Sequence, residues 1–159
     1  MTTARHVPRE TQYRDRVQSN KVARVLCIDD DPDISRGLQL WLNQYEVEVL
    51  HAHYGMQGVA LAASYLPNAI ITDIRMPQGD GDHVVACLRR QAETWDIPVI
   101  VLTGQKDTEL ERRMRQLGVQ HYLQKPASWQ DLESALFETL KLPKVEDAHL
   151  EVRPHLFGA

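Results

Sequence analysis

Three consecutive acids, Asp29, Asp30 and Asp31, follow the apolar segment Val25-Leu26-Cys27-Ile28, and Asp73 closes a second such segment, Ala69-Ile70-Ile71-Thr72. Gathered carboxylates suit two kinds of chemistry. They ligate a hard divalent cation through oxygen, and one of them can attack an electrophile once a cation offsets its charge. Thr103, after the run Pro98 to Leu102, and Lys125, shortly after Val119 to Leu123, add a hydroxyl and an ammonium at two further apolar runs. Short apolar runs rich in β-branched residues read as buried strands, which places all of these groups at carboxyl ends of strands. That edge is where ligand chemistry collects in an open α/β sheet.

The segments between these runs must supply helices. Asp31 is suited to cap a helix that has Pro32 at its first position and Asp33 in its first turn, with the stripe Ile34, Leu38, Trp41 and Leu42 behind it. Glu46 to Ala52 alternates in the manner of a short strand near a sheet edge. A second helix is expected over Gly55 to Leu66, stopped by Pro67-Asn68. The loop from Arg75 to Gly81 leads to a third helix carrying Val84, Val85 and Leu88. Asp107 to Leu117 repeats Leu110, Met114 and Leu117 among charges, and Gly118 ends it. Ser128 to Asp131 resembles a capping box ahead of the stripe Leu132, Ala135, Leu136, Thr139 and Leu140. Five strands alternating with five helices predict a parallel α/β sheet with helices on both faces.

The chain has 159 residues, is 43% hydrophobic and 25% charged, and carries a formal charge of -4, a balance with no general attraction for nucleic acid or anionic membrane. Its length predicts one domain over residues 22–141. Residues 1–21 read as a mobile basic tail, with Arg5, Arg9, Arg14, Arg16 and Lys21 against Glu10 and Asp15. Residues 142–159 read as a second tail, too short for an added DNA-binding or catalytic module. No segment has the length and apolarity of a membrane span or secretory signal, and the cytoplasm is the expected location. Cys27 and Cys87 lack metal-ligand spacing and are expected to be reduced thiols.

At these residues the chain resembles the receiver domain of two-component response regulators, of the stand-alone type, which implies a doubly wound sheet of flavodoxin type with strand order 2-1-3-4-5. The resemblance covers about residues 22–141 and rests on Asp29-Asp30, Asp73-Ile74-Arg75-Met76-Pro77 with Asp80-Gly81, Thr103-Gly104, and Tyr122-Leu123-Gln124-Lys125-Pro126. It implies that Asp73 is a phosphoacceptor, taking a phosphoryl group from a phosphohistidine on a sensor histidine kinase or a histidine phosphotransfer protein. Mg²⁺ (or Mn²⁺) would be held by Asp29, Asp30, Asp73 and the backbone carbonyl of Arg75. Lys125 and Thr103 would contact phosphoryl oxygens. Tyr122 would be the switch aromatic that alters the surface of helix four, strand five and helix five, where an output protein docks. Arg75 and Gln105 occupy positions that tune phosphoryl lifetime, Lys125-Pro126 is usually cis, and Ala127 departs from the large apolar residue common after Lys-Pro. Self-phosphorylation and slow autodephosphorylation are the only reactions implied, and a monomer or weak dimer is expected.

Plainer readings stand beside these. Asp31 is better explained as a helix cap than as a third ligand, and Asp80-Gly81 as turn chemistry. His51 and His53 share a strand face, but edge placement argues against a metal role. Trp41 and Trp129 are expected in packing and Trp95 in a loop. Three other functions compete: an unphosphorylated receiver acting as a constitutive protein-binding module, a metal-dependent phosphohydrolase, and a flavin binder. Arg75 stands where such hydrolases carry a general acid, and Asp29 to Asp31 would repel a flavin phosphate.

Overall fold

The computed structural model describes residues 22–76, 81–104 and 106–142. Five strands form one parallel sheet: β1 (Ala23–Ile28), β2 (Val47–Ala52), β3 (Ala69–Thr72), β4 (Val99–Thr103) and β5 (His121–Gln124), in the order β2-β1-β3-β4-β5. Between and after them lie α1 (Pro32–Leu42), α2 (Gly55–Tyr65), α3 (Gly81–Arg90), α4 (Thr108–Gln116) and α5 (Trp129–Leu140). Parallel neighbours need crossovers, and the helices supply them. The predicted fold and strand order are the observed ones. The proposed tail at 1–21, all of the tail at 142–159 but its first residue, Asp80, Gln105 and the Trp129 side chain lie outside the described residues.

Because successive side chains of a strand face opposite ways, the sheet divides its apolar residues between two cores. Val25, Cys27, Ala69, Ile71, Ile100 and Leu102 pack under α1 and α5, against Leu38, Trp41, Leu132 and Leu136. Leu26, Ile28, Ile70, Val99 and Val101 pack under α2, α3 and α4, against Val59, Val85, Leu88 and Met114. Trp41, Tyr45 and Phe137 meet edge to face, with ring centroids 5.3–6.0 Å apart, and tie α1 to α5. On the other face α2 sits so close to β1 that a Cβ at Gly58 would lie 2.4 Å from Ile28 Cδ1.

The helix starts follow the local chemistry. The Asp31 side chain accepts from the Asp33 N–H with Pro32 at the first helical position, Asp107 accepts from Glu109 and Leu110, and Ser128 accepts from Asp131. Strand limits differ slightly from expectation. Glu46 precedes β2 instead of opening it, because a short 3₁₀ turn over Asn43–Tyr45 ends there in the left-handed region, φ 56°. Val119 precedes β5, since its N–H is bonded to Met114 O at the close of α4.

The outer edge of β2 is partly closed by a side chain from α1. Gln39 Nε2 donates to Val47 O (3.4 Å), and its Oε1 accepts from the Val49 N–H (2.9 Å). One primary amide thus takes the place that a peptide group of a further parallel strand would occupy, which protects an edge otherwise open to strand addition.

Candidate phosphoacceptor site

The site lies where β1, β3, β4 and β5 end. Asp29 directly follows β1 and Asp73 directly follows β3, and these strands are neighbours, so the two carboxylates are brought together by register alone. The Asp29 N–H donates to Ala52 O (3.1 Å) and the Asp73 N–H to Ile28 O (3.0 Å), which extends the sheet's bonding through both acids. Asp29 is 3% exposed and Asp73 8%.

Lys125 crosses to them from the end of β5. Its Nζ lies 3.1 Å from Asp73 Oδ2 and 3.3 Å from Asp29 Oδ2. Its own N–H donates to Thr103 O at 2.7 Å, so the β4 and β5 ends are fastened at the residue that carries the ammonium. The Lys125-Pro126 peptide is cis. Thr103 itself is fully buried. The second oxygen of each acid is held by the backbone that follows it: Asp29 Oδ1 accepts from the Asp31 N–H (2.9 Å) and Asp73 Oδ1 from the Arg75 N–H (3.0 Å).

Burial pushes the Asp29 carboxyl above its ordinary range, and the neighbouring Asp73 charge adds to this against the opposing pull of the Asp31 N–H and Lys125. For Lys125, burial works to lower the pKa. The charges of Asp29 and Asp73 outweigh it, and the ammonium ends above its usual value. One ammonium thus faces two carboxylates.

Among the expected residues, Asp29, Asp73, Lys125 and Thr103 therefore converge. Asp30 is exposed at the same edge, and Arg75 reaches Asp73 through its backbone while its side chain is exposed. Tyr122 is packed against the α2–α4 core, with its hydroxyl buried and without a hydrogen-bond partner among the described residues. Its pKa is raised by burial, then by Glu111, Asp107 and Asp73.

Donor chemistry here suits a hard cation, with the carboxylates of Asp29 and Asp73 side by side and Asp30 exposed at the same edge. No three His, Cys, Asp or Glu side chains among the described residues are drawn round one point as they stand. Asp29 and Asp73 are turned instead toward Lys125, whose Nζ bonds to both.

Two supporting residues were not evident from sequence. A Cβ at Gly81 would fall 2.4 Å from Asp73 O, so the start of α3 presses against the Asp73 backbone and requires glycine. His51 Nε2 lies 3.0 Å from Asp29 O. The Asp80-Gly81 pair pointed to a turn and to the family, and the His51-His53 spacing to a shared face, but neither pointed to these contacts. The expected inert thiols agree with the fold: Cys27 is buried, and burial with Asp29 nearby pushes its pKa far up.

Residues 25–137 match the family model of the response regulator receiver domain. The chain belongs to this family. It is 33% identical over 127 residues to response regulator MprA of Mycobacterium tuberculosis, covering 79% of this chain and 54% of that protein. It is 30% identical over 122 residues to hybrid signal transduction histidine kinase D of Dictyostelium discoideum, covering 77% of this chain and 8% of that one. The chain thus spans about half of MprA and a small part of the kinase. Its fold matches the Vibrio cholerae chemotaxis protein CheY4 with a TM-score of 0.68 at 28% identity, covering 76% of this chain and all of that one. Receivers are two-component signalling modules in which phosphorylation and Mg²⁺ binding are typical, and they are not enzymes in the ordinary sense. None of the described helices is long and apolar enough to cross a membrane.

Proposed function

We propose that this receiver accepts a phosphoryl group on Asp73 from a phosphohistidine of a sensor histidine kinase or histidine phosphotransfer protein, and that acceptance alters the α4–β5–α5 surface read by an output protein. The observation that carries this reading is the single ammonium of Lys125 held between the Asp73 and Asp29 carboxylates. A carboxylate attacks phosphorus only where the repulsion between two anions is offset. Lys125 supplies part of that offset and a contact for a phosphoryl oxygen. Mg²⁺ supplies the rest when bound, as a Lewis acid that neutralises charge on the transferring group. Asp29, Asp30, Asp73 and the Arg75 carbonyl are the residues to hold it.

In the transfer, an Asp73 oxygen forms a bond to phosphorus as the bond from phosphorus to the histidine nitrogen breaks, and the imidazole leaves with that electron pair. Thr103, the last residue of β4, contacts another phosphoryl oxygen. The buried, unsatisfied hydroxyl of Tyr122 supports its role as the moving part: a tyrosine held this way loses little by changing its place, so a shift of the β4 end is enough to bias it. Arg75 and Gln105 adjust how fast water removes the phosphoryl group. The protein works in the cytoplasm, as a monomer or weak dimer, without binding nucleic acid itself.

Incubation with Mg²⁺ and acetyl phosphate, followed by intact-protein mass spectrometry, tests the reading. A gain of one phosphoryl group is expected in the wild type and none in Asp73→Ala. A constitutive binding module would gain none in either.

A further inference from the structure

The peptide that joins the first two acids is held by a residue outside the family's acid, hydroxyl and lysine set. Asp29 uses all of its polar groups. Its carboxylate is held by the Asp31 N–H and by Lys125, and its N–H donates to Ala52 O at the end of β2. Its carbonyl meets His51 Nε2 at 3.0 Å. A carbonyl only accepts, so Nε2 carries the proton and donates. His51 lies on β2 opposite Cys27 in the register, and its side chain reaches past the end of β1. The ring is half-buried and is covered by His53, with centroids 4.2 Å apart. The His53 N–H is in turn fixed by Gln57 Oε1 (2.7 Å) in the first turn of α2.

The carbonyl of Asp29 and the N–H of Asp30 belong to one planar peptide group. Fixing that carbonyl therefore sets the direction in which the chain enters Asp30, and with it the separation of the two carboxylates. Asp29 is buried and held from four directions, whereas the exposed Asp30 side chain has no such support among the described residues. The orientation of its backbone is what remains to place it.

We propose that His51 is a positioning residue for the cation site: by donating to Asp29 O it fixes the Asp29-Asp30 peptide plane and so pre-sets the two acids for Mg²⁺. This rests on the metal reading of the site given above. Groups that orient metal ligands without touching the metal commonly change affinity by tenfold or more when lost. A turned peptide costs the same binding free energy whether or not a phosphodonor is present, so the effect belongs to cation affinity.

The test is calorimetric titration of the full chain with MgCl₂ without phosphodonor, on wild type, His51→Phe, His51→Gln and His53→Ala. Phe keeps the ring and removes the donor; Gln keeps an N–H donor. The dissociation constant should rise about tenfold in His51→Phe and stay within about threefold of wild type in His51→Gln and His53→Ala. Saturating Mg²⁺ should restore acetyl phosphate uptake in His51→Phe. Wild-type affinity in His51→Phe overturns the proposal, and so does a loss in His51→Gln or His53→Ala equal to that in His51→Phe, which would indicate packing alone. A wild-type chain that takes up no Mg²⁺ overturns the metal reading itself, and this role with it.

Discussion

Lys125 Nζ lies 3.1 Å from Asp73 Oδ2, so the strand-five ammonium is bonded to the strand-three carboxylate while also reaching Asp29. Removing it leaves two buried acids facing each other. Lys125→Ala should destabilise the fold at neutral pH by about 3 kcal/mol, as expected when one partner of a buried ionic group is deleted. Added Mg²⁺ should recover part of this. Urea denaturation with and without MgCl₂ measures both. Stability equal to wild type in the absence of Mg²⁺ would show that the ammonium does not hold the pocket.

Asp29 and Lys125 give the site a pH signature. Folding raises the Asp29 pKa above 3.8, so the folded chain binds this proton more readily. The stability tied to it is fully present below the unfolded value and is lost as pH rises through the folded one. Lys125 is also raised, from 10.5, and its contribution holds below that value and fades as pH climbs through the higher folded one. For Mg²⁺ the Asp29 proton is a competitor. Affinity should begin to fall on acidification at a pH above the ordinary aspartate range, and calorimetric titrations across pH 4 to 7 should show it.

Asp29→Asn keeps an oxygen for the Asp31 N–H and leaves Lys125 paired with Asp73. It removes a buried charge without stranding its partner, so stability without Mg²⁺ should be unchanged or up to about 1 kcal/mol higher, while Mg²⁺ binding weakens by at least about tenfold. A marked destabilisation would mean that the Asp29 charge is needed by the fold itself.

Gly81→Ala places a methyl against Asp73 O and the Ile74 Cα, both backbone and unable to step aside as a side-chain tip would. The expected cost is about 1–3 kcal/mol with slowed phosphoryl uptake. A thermal melt and a phosphorylation time course on the same sample would reveal whether either quantity moves.

Gln39→Ala should bare the outer edge of β2. The Val49 amide loses its acceptor, and its hydrogen exchange should quicken by about tenfold or more while amides of β3 hold their protection. Unchanged exchange at Val49 would mean that the Gln39 amide contributes nothing to guarding the edge.

The strands, the caps at Asp31, Asp107 and Ser128, and the placing of Asp29, Asp73, Thr103 and Lys125 at one sheet edge were readable from local pattern, while the strand order came from the family resemblance. β-Branched runs choose buried strands, intervening helices make the sheet parallel, and a residue that follows a strand lies at the sheet's carboxyl edge. The role of His51 was not readable, since its hydrogen bond joins a side chain to a backbone carbonyl 22 positions away. The need for Gly81 was hidden likewise, because Asp-Gly announces a turn and says nothing of the backbone it passes. Arg89 is a third case: its guanidinium donates to the carbonyls of Leu117 (2.8 Å), Trp95 (3.0 Å) and Ile97 (3.0 Å), a clamp at the far end of the sheet with no sequence pattern to mark it.

A crystal of the chain grown with Mg²⁺ and soaked in beryllofluoride tests the central claim most directly. Beryllofluoride joined to an Asp73 oxygen, with Lys125 and Thr103 on its fluorides and the cation between Asp29, Asp30 and the Arg75 carbonyl, is the expected result. A pocket holding neither ion, with Asp73 turned away from Lys125, would contradict it.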